Sequence, residues 1–147
     1  IGSWKNGKTA VLNILASHSI ILDTKQLKDG SGLSRYNAIT PNQILELLKV
    51  IKHDPEIFEV LFGSLPISGI DGTLAWLQEP VLLGKIHAKT GSMNNIYNLA
   101  GYFSDDKNDY AFVIMTAGLL ADNRLQKKLT QETINSLLQQ YHIHALV

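Results

Sequence analysis

Cysteine is absent from the 147 residues, and that omission removes disulfide frameworks, thiol nucleophiles and Cys-ligated zinc together. It leaves the redox compartment open, because a cysteine-free chain works in either. Charge of one sign is missing too. Thirteen basic side chains balance thirteen acidic ones for a formal net charge of +0, whereas a dedicated nucleic-acid binder carries a basic face and a high pI. No apolar run approaches the ~18 residues of a membrane-spanning helix. Among five histidines the one close pair, His142 and His144, lacks a third ligand at useful spacing, so no metal site is expected. The opening Ile1-Gly2-Ser3-Trp4 has no initiator Met and no charged leader, from which the numbering is expected to begin inside a longer polypeptide.

What is present is an ordinary globular mixture, 45% hydrophobic and 18% charged. Apolar spacing predicts a helix over Lys8–Ser17 and a short strand over Ile20–Leu22. Asp29-Gly30-Ser31-Gly32 reads as a turn. Thr40-Pro41-Asn42-Gln43 has the N-cap, first-turn proline and capping-box residue of a helix start, with Asp54-Pro55 as its stop. A short helix is expected over Pro55–Phe62, a loop over Leu65–Gly72 and a helical stretch over Thr73–Gln78. Three strands follow, about Gly84–Thr90, Ile96–Ser104 and Tyr110–Ala117, with Asp105–Asn108 as a hairpin loop. A closing helix over Asp122–Tyr141 would bury Leu125, Leu129, Ile134, Leu137 and Leu138. The expected fold class is α/β in the broad sense, more narrowly α+β, with an antiparallel sheet flanked by helices.

Lys89-Thr90-Gly91-Ser92, at a predicted strand end, carries the most chemistry. A Lys-Thr-Gly triplet alone arises by chance in about 3% of chains this long. Its physical content is greater. Lysine supplies a cation, Thr and Ser supply hydroxyls that can hold a carboxylate, and Gly lets a ligand backbone approach the strand edge. A peptide could then lie along that edge and extend the sheet.

Three further stretches accompany it: Asp29-Gly30-Ser31-Gly32-Leu33-Ser34-Arg35 with Asn37, Leu65-Pro66-Ile67-Ser68-Gly69-Ile70-Asp71-Gly72-Thr73-Leu74, and Tyr97-Asn98-Leu99-Ala100-Gly101-Tyr102. In this order they resemble the C-terminal signature of the D-alanyl-D-alanine carboxypeptidase/endopeptidase (DacB-type) branch of the penicillin-binding proteins. The resemblance covers essentially the whole chain. It implies a β-lactamase/transpeptidase-like fold, incomplete here, and a serine acyl-transfer enzyme built on S-x-x-K, S-x-N and K-T-G elements. Lys89, Thr90 and Gly91 match the third element. By the same matching, Lys89 lies near the proton relay, and Thr90, Gly91 and Ser92 bind substrate through its terminal carboxylate. The Ser92 N–H supplies an oxyanion donor, and Met93 lines the side-chain pocket.

The resemblance further implies peptidoglycan stem peptides and β-lactams as partners, a periplasmic or envelope location, and no metal or organic cofactor. The other two elements are read as absent. In the family both lie N-terminal to the Asp29 stretch, and Ser34-Arg35-Tyr36-Asn37 has two intervening residues rather than one. Residues 1–147 are therefore expected to be the C-terminal portion of a catalytic domain, inactive alone. Missing its nucleophile-bearing helix, the chain is expected to expose apolar surface and so to be marginally stable or to self-associate.

Other patterns in the sequence compete with this one. Gly2-Ser3-Trp4-Lys5-Asn6-Gly7-Lys8-Thr9 fits the G-x-x-x-x-G-K-[ST] phosphate loop, and Ile20-Ile21-Leu22-Asp23 imitates a strand with a metal-binding Asp. Only Ile1 precedes the loop where a buried strand belongs, so a plain helix start is favoured. A binding module without catalysis is the alternative to the enzyme. Lys85, His87 and Lys89 share a strand face, and His87 is expected at the surface. Asp105, Asp106 and Asp109 read as a solvated hairpin tip, Asp29 and Asp71 as turn residues. The aromatics Trp4, Phe58, Phe62 and Trp76 are expected in packing roles.

Overall fold

The computed structural model describes residues 2–105, 107–120 and 122–140; His142 and His144 lie outside them. The chain divides into two compact units, Ile1–Pro55 and Glu56–Val147.

In the first unit, α1 (Trp4–Ser17) starts four residues ahead of the predicted helix, because the Ser3 hydroxyl accepts the Asn6 N–H at 3.2 Å as an N-cap. Lys5, Asn6, Gly7 and Lys8 are thereby helical, and the Gly7 N–H is already committed to Ser3 O at 3.0 Å. A phosphate loop needs those N–H groups turned toward a ligand, so the Gly2–Thr9 match has no loop to form. α2 (Pro41–Lys52) bears the expected capping box: the Thr40 hydroxyl accepts from Gln43 N–H at 3.3 Å, and Thr40 N–H donates to Gln43 Oε1 at 2.9 Å. The predicted strand at Ile20–Leu22 does not form. Among the described residues no strand pairs with it; the Ile21 carbonyl instead accepts the Gln43 side-chain amide at 2.8 Å.

In the second unit, α3 (Pro55–Ser64) is followed by a single 3-10 turn at Gly72–Leu74, shorter than the helical stretch expected over Thr73–Gln78. The strands are β1 (Ile86–Met93), β2 (Ile96–Ser104) and β3 (Asp109–Ala117), paired antiparallel in the order β1-β2-β3. β1 begins two residues later than predicted, because Gly84 adopts φ +73 and its N–H turns back to Ser68 O at 2.9 Å. α4 (Asn123–Gln140) closes the unit.

Strand alternation divides the side chains between two faces. One face carries Ile86, Ala88, Leu99, Phe103 and Ile114, which form a core with Leu74, Leu77, Leu82 and Ile134 of α4. On the other face the Phe62 ring of α3 stacks on His87 at 3.9 Å, and Phe58 meets Tyr102 edge-on at 5.1 Å. Helices thus flank the sheet, in an α+β arrangement. Two side-chain expectations fail. Leu125 and Leu137 are exposed, while Gln126 and Thr130 occupy the buried face of α4; the Thr130 hydroxyl answers its burial by donating to Gln126 O at 2.9 Å. His87 is covered by the Phe62 ring and is not a surface histidine. Of the four aromatics, Phe58 and Phe62 pack as expected and Trp76 lies against the core, while Trp4 is half exposed beside Gly30.

Candidate functional site

β1 is an edge strand, and only the first part of its outer edge is occupied. Ser68 N–H donates to Ile86 O at 2.9 Å, and Ala88 N–H donates to Pro66 O at 3.1 Å. These two bonds fix which residues turn their backbone groups outward: the even-numbered ones. By the same alternation Thr90 and Ser92 aim their N–H groups at the open edge. Neither has a hydrogen-bond partner among the described residues. Ser92 therefore presents an outward N–H near the end of the strand.

Lys89 leaves the strand on the His87 face, and its ammonium bends around the edge to donate to Thr90 O at 2.7 Å. No carboxylate lies within ion-pair distance of it among the described residues, so its charge is available to an anionic ligand. Thr90 points to the opposite face, where its hydroxyl donates to Thr73 Oγ1 at 2.9 Å. Gly91 and the half-exposed Met93 complete the strand end. A Cβ on Gly91 would meet only Asn98 Cβ at 3.9 Å, so this glycine keeps the edge low and is not demanded by local packing. The sequence reading singled out Lys89, Thr90, Gly91, Ser92 and Met93 and did not pick Thr73. Its signal was the Asp71-Gly72-Thr73-Leu74 stretch, whose turn delivers a hydroxyl to β1.

Two close approaches shape the strand. A Cβ at Gly101 would collide with His87 O and approach Ala88 Cα at 2.5 Å, so only glycine lets β2 run this near β1 just before Lys89. The Ser68 hydroxyl, fully buried, donates to Leu82 O and accepts Ile86 N–H at 3.0 Å, tying the Pro66–Ser68 segment to the start of β1.

Asp29 organises its own turn in the first unit. One carboxylate oxygen accepts the Asn37 side-chain amide at 2.7 Å and Gly32 N–H at 3.2 Å; the other accepts the Ser31 hydroxyl at 2.9 Å and Ser34 N–H at 3.0 Å. These donors, Asn37 foremost, hold its pKa below the ordinary carboxylate value. Asp71 likewise accepts Ile67 N–H at 2.7 Å. Both are turn residues, and Ser34 serves the same turn by accepting Tyr36 N–H at 3.2 Å. Asp105 accepts Lys107 N–H at 2.8 Å and Asn108 N–H at 2.7 Å, the hairpin role expected of it; Asp106 lies outside the described residues. The hydroxyls of Tyr97 and Tyr102 are pushed up by burial, Tyr102 to about 12, which keeps both neutral and out of acid–base work near pH 7.

The expected absence of S-x-x-K and S-x-N needs a correction of spelling. Residues ahead of the Asp29 stretch contain neither, but Ser104-Asp105-Asp106-Lys107 has the first spacing and Ser92-Met93-Asn94 the second. Neither is placed to act. An S-x-x-K pair works from one helix face, whereas Ser104 ends β2 with its hydroxyl donating to Asp109 Oδ1 at 2.6 Å. It also stands four register positions from the Ala100–Lys89 pair, roughly 14 Å along the sheet. Ser92 and Met93 end the same strand as Lys89, so they cannot form a second wall facing it.

Comparison with known proteins decides what this edge belongs to. Residues 1–141 match the D-Ala-D-Ala carboxypeptidase 3 (S13) family. The chain belongs to that family. Among curated relatives it is 37% identical over 115 residues to D-alanyl-D-alanine carboxypeptidase DacB of Haemophilus influenzae, covering 76% of this chain and 24% of that protein. It is 32% identical over 123 residues to the D-alanyl-D-alanine carboxypeptidase of Actinomadura sp. (strain R39), covering 80% of this chain and 23% of that protein. The crystal structure of penicillin binding protein 4 (dacB) from H. influenzae in complex with a β-lactam superimposes with TM-score 0.79 at 32% identity, over 92% of this chain and 34% of that one. The S13 chain here thus spans about a quarter of the length of the curated relatives it matches.

Proposed function

We propose that this chain is the C-terminal part of the catalytic domain of a serine-type D-Ala-D-Ala carboxypeptidase or endopeptidase, supplying the wall on which the peptidoglycan stem peptide lies. The observation that carries the reading is the open outer edge of β1. There an ammonium with no carboxylate partner among the described residues (Lys89), a hydroxyl suited to a carboxylate (Thr90) and outward N–H groups (Thr90, Ser92) sit within four residues. A peptide ending in a carboxylate would add to this edge as a strand, its terminal oxygens on the Thr90 hydroxyl and the ammonium. The Ser92 N–H would meet the oxygen of the carbonyl under attack.

The nucleophilic Ser and its Lys, and the second-element Ser and Asn, come from segments outside these residues. With them the reaction runs through an acyl-enzyme that water then hydrolyses. β-Lactams acylate the same serine as substrate mimics, and the substrate sets the location at the periplasm or cell envelope. No cofactor is called for. Alone, the chain retains the binding edge without the chemistry, and the surface left by the missing helix favours self-association.

Fluorescent penicillin tests both halves. The complete enzyme should label covalently, and Lys89→Ala should slow labelling and peptide turnover by about a hundredfold or more, the scale of losing a positioned charge or proton-relay group. Unchanged rates would remove Lys89 from the site. Covalent labelling of the 147-residue chain alone would show that it already contains its nucleophile.

A further inference from the structure

Thr90 does not meet solvent alone. Its hydroxyl donates to Thr73 Oγ1 at 2.9 Å, a partner 17 residues earlier, and Thr73 is held in place from both sides. Gly72 before it adopts φ +51, with a Cβ there facing Pro66 Cβ at 3.1 Å and Cγ at 3.2 Å. Leu74 after it is completely buried, and its carbonyl accepts Gly69 N–H at 3.0 Å. Asp71 ties the turn to Ile67 at 2.7 Å. The Pro66–Ser68 segment is in turn hydrogen-bonded to β1 at Ile86 and Ala88. One frame therefore positions both hydroxyls.

We infer that Thr73 is a positioning residue that orients Thr90 for a terminal carboxylate, an inference that rests on the proposed docking of such a peptide at this edge. Each hydroxyl has one proton and can accept on oxygen. When a carboxylate docks, the Thr90 proton turns to it, and Thr73 turns its own proton to Thr90 Oγ1. The two bonds then run in one direction, so each polarises the other, and the terminal bond is charge-assisted. The Lys89 ammonium attracts the same carboxylate as a compact point charge with little directional demand. Discrimination between a carboxylate and a neutral group of the same shape is accordingly shared: the ammonium supplies the non-directional part, and the hydroxyl pair supplies the directional, charge-assisted part.

The test uses the complete enzyme and two peptides that differ only in ending in D-Ala carboxylate or D-Ala carboxamide. The readout is the ratio of their kcat/KM values. Thr73→Val should shrink that ratio about tenfold, the size of one hydrogen bond to a charged system, mainly through KM for the carboxylate peptide. Thr73→Ser should preserve it, and Thr73→Ala should repeat the valine result if valine disturbs folding. A ratio unchanged in both Thr73→Val and Thr73→Ala overturns the inference, as does an equal loss on both peptides, the mark of a merely structural role. A wild-type enzyme that fluorescent penicillin fails to label would instead overturn the proposed function, which separates the two failures.

Discussion

At the scale of the residue, Asp29 shows how one carboxylate organises a turn. It accepts from two side chains and two backbone N–H groups, and Gly32 supplies the φ of +75 that the turn needs. Since the folded pKa is held below the ordinary carboxylate value, the stabilisation is present above that value and is lost as pH falls through the lower, folded one. Hydrogen exchange followed by NMR should show the Gly32 and Ser34 amides protected at pH 6 and released in acid ahead of those in α2. Asp29→Ala should release them at every pH, and persistent protection would exclude this role. Asp29 was legible in the sequence because Asp-Gly turns are local. Thr73 was not, because its hydroxyl gains meaning only from a strand 17 residues away. His87 misled for a related reason: alternation gives the face of a strand, not whether a helix such as α3 covers it.

At the scale of the element, local signals held where one segment decides its own structure. The capping box at Thr40 and the bounds of β2 both follow the expectation. They failed where the outcome depends on a partner. Ile20–Leu22 has strand composition but pairs with no strand among the described residues, and the helical pattern after Thr73 ends at one turn as Leu74 and Leu77 sink into the core. Gly101 offers a sharp test of the β1–β2 pairing. Gly101→Ala should force the strands apart at Ala88, costing about 1–3 kcal/mol as overpacking does and displacing Lys89 next along. Denaturant unfolding reads the first effect and penicillin labelling of the complete enzyme the second; an alanine variant unchanged in both would contradict the close approach.

At the scale of the whole molecule, the S13 resemblance was carried by four short stretches whose order no single element reveals. The expectation of exposed apolar surface rested on that resemblance alone. Ile57 and Val60 on α3 are 54% and 75% exposed while Phe58 and Phe62 of the same helix pack on the sheet. Val11, Ile14, Leu33 and Tyr36 in the first unit are exposed as well. Ile57 and Val60, three residues apart, are neighbours on α3, as are Val11 and Ile14 on α1, and exposed apolar surface of this kind favours association. Sedimentation velocity of the isolated chain should show a weight-average mass that rises with concentration, and a sharp monomer boundary across the range would contradict it.

The half-open edge of β1 has a cost independent of any reaction. An unpaired strand edge is a template for any other extended chain, including a copy of itself, and proteins guard such edges with lysine or by covering them. Here Pro66–Ser68 covers the first half, and the Lys89 ammonium stands at the start of the other. The same cation that would recruit a carboxylate therefore also repels a second copy of this edge. Replacing it with a neutral side chain should remove that guard and make the edge stickier.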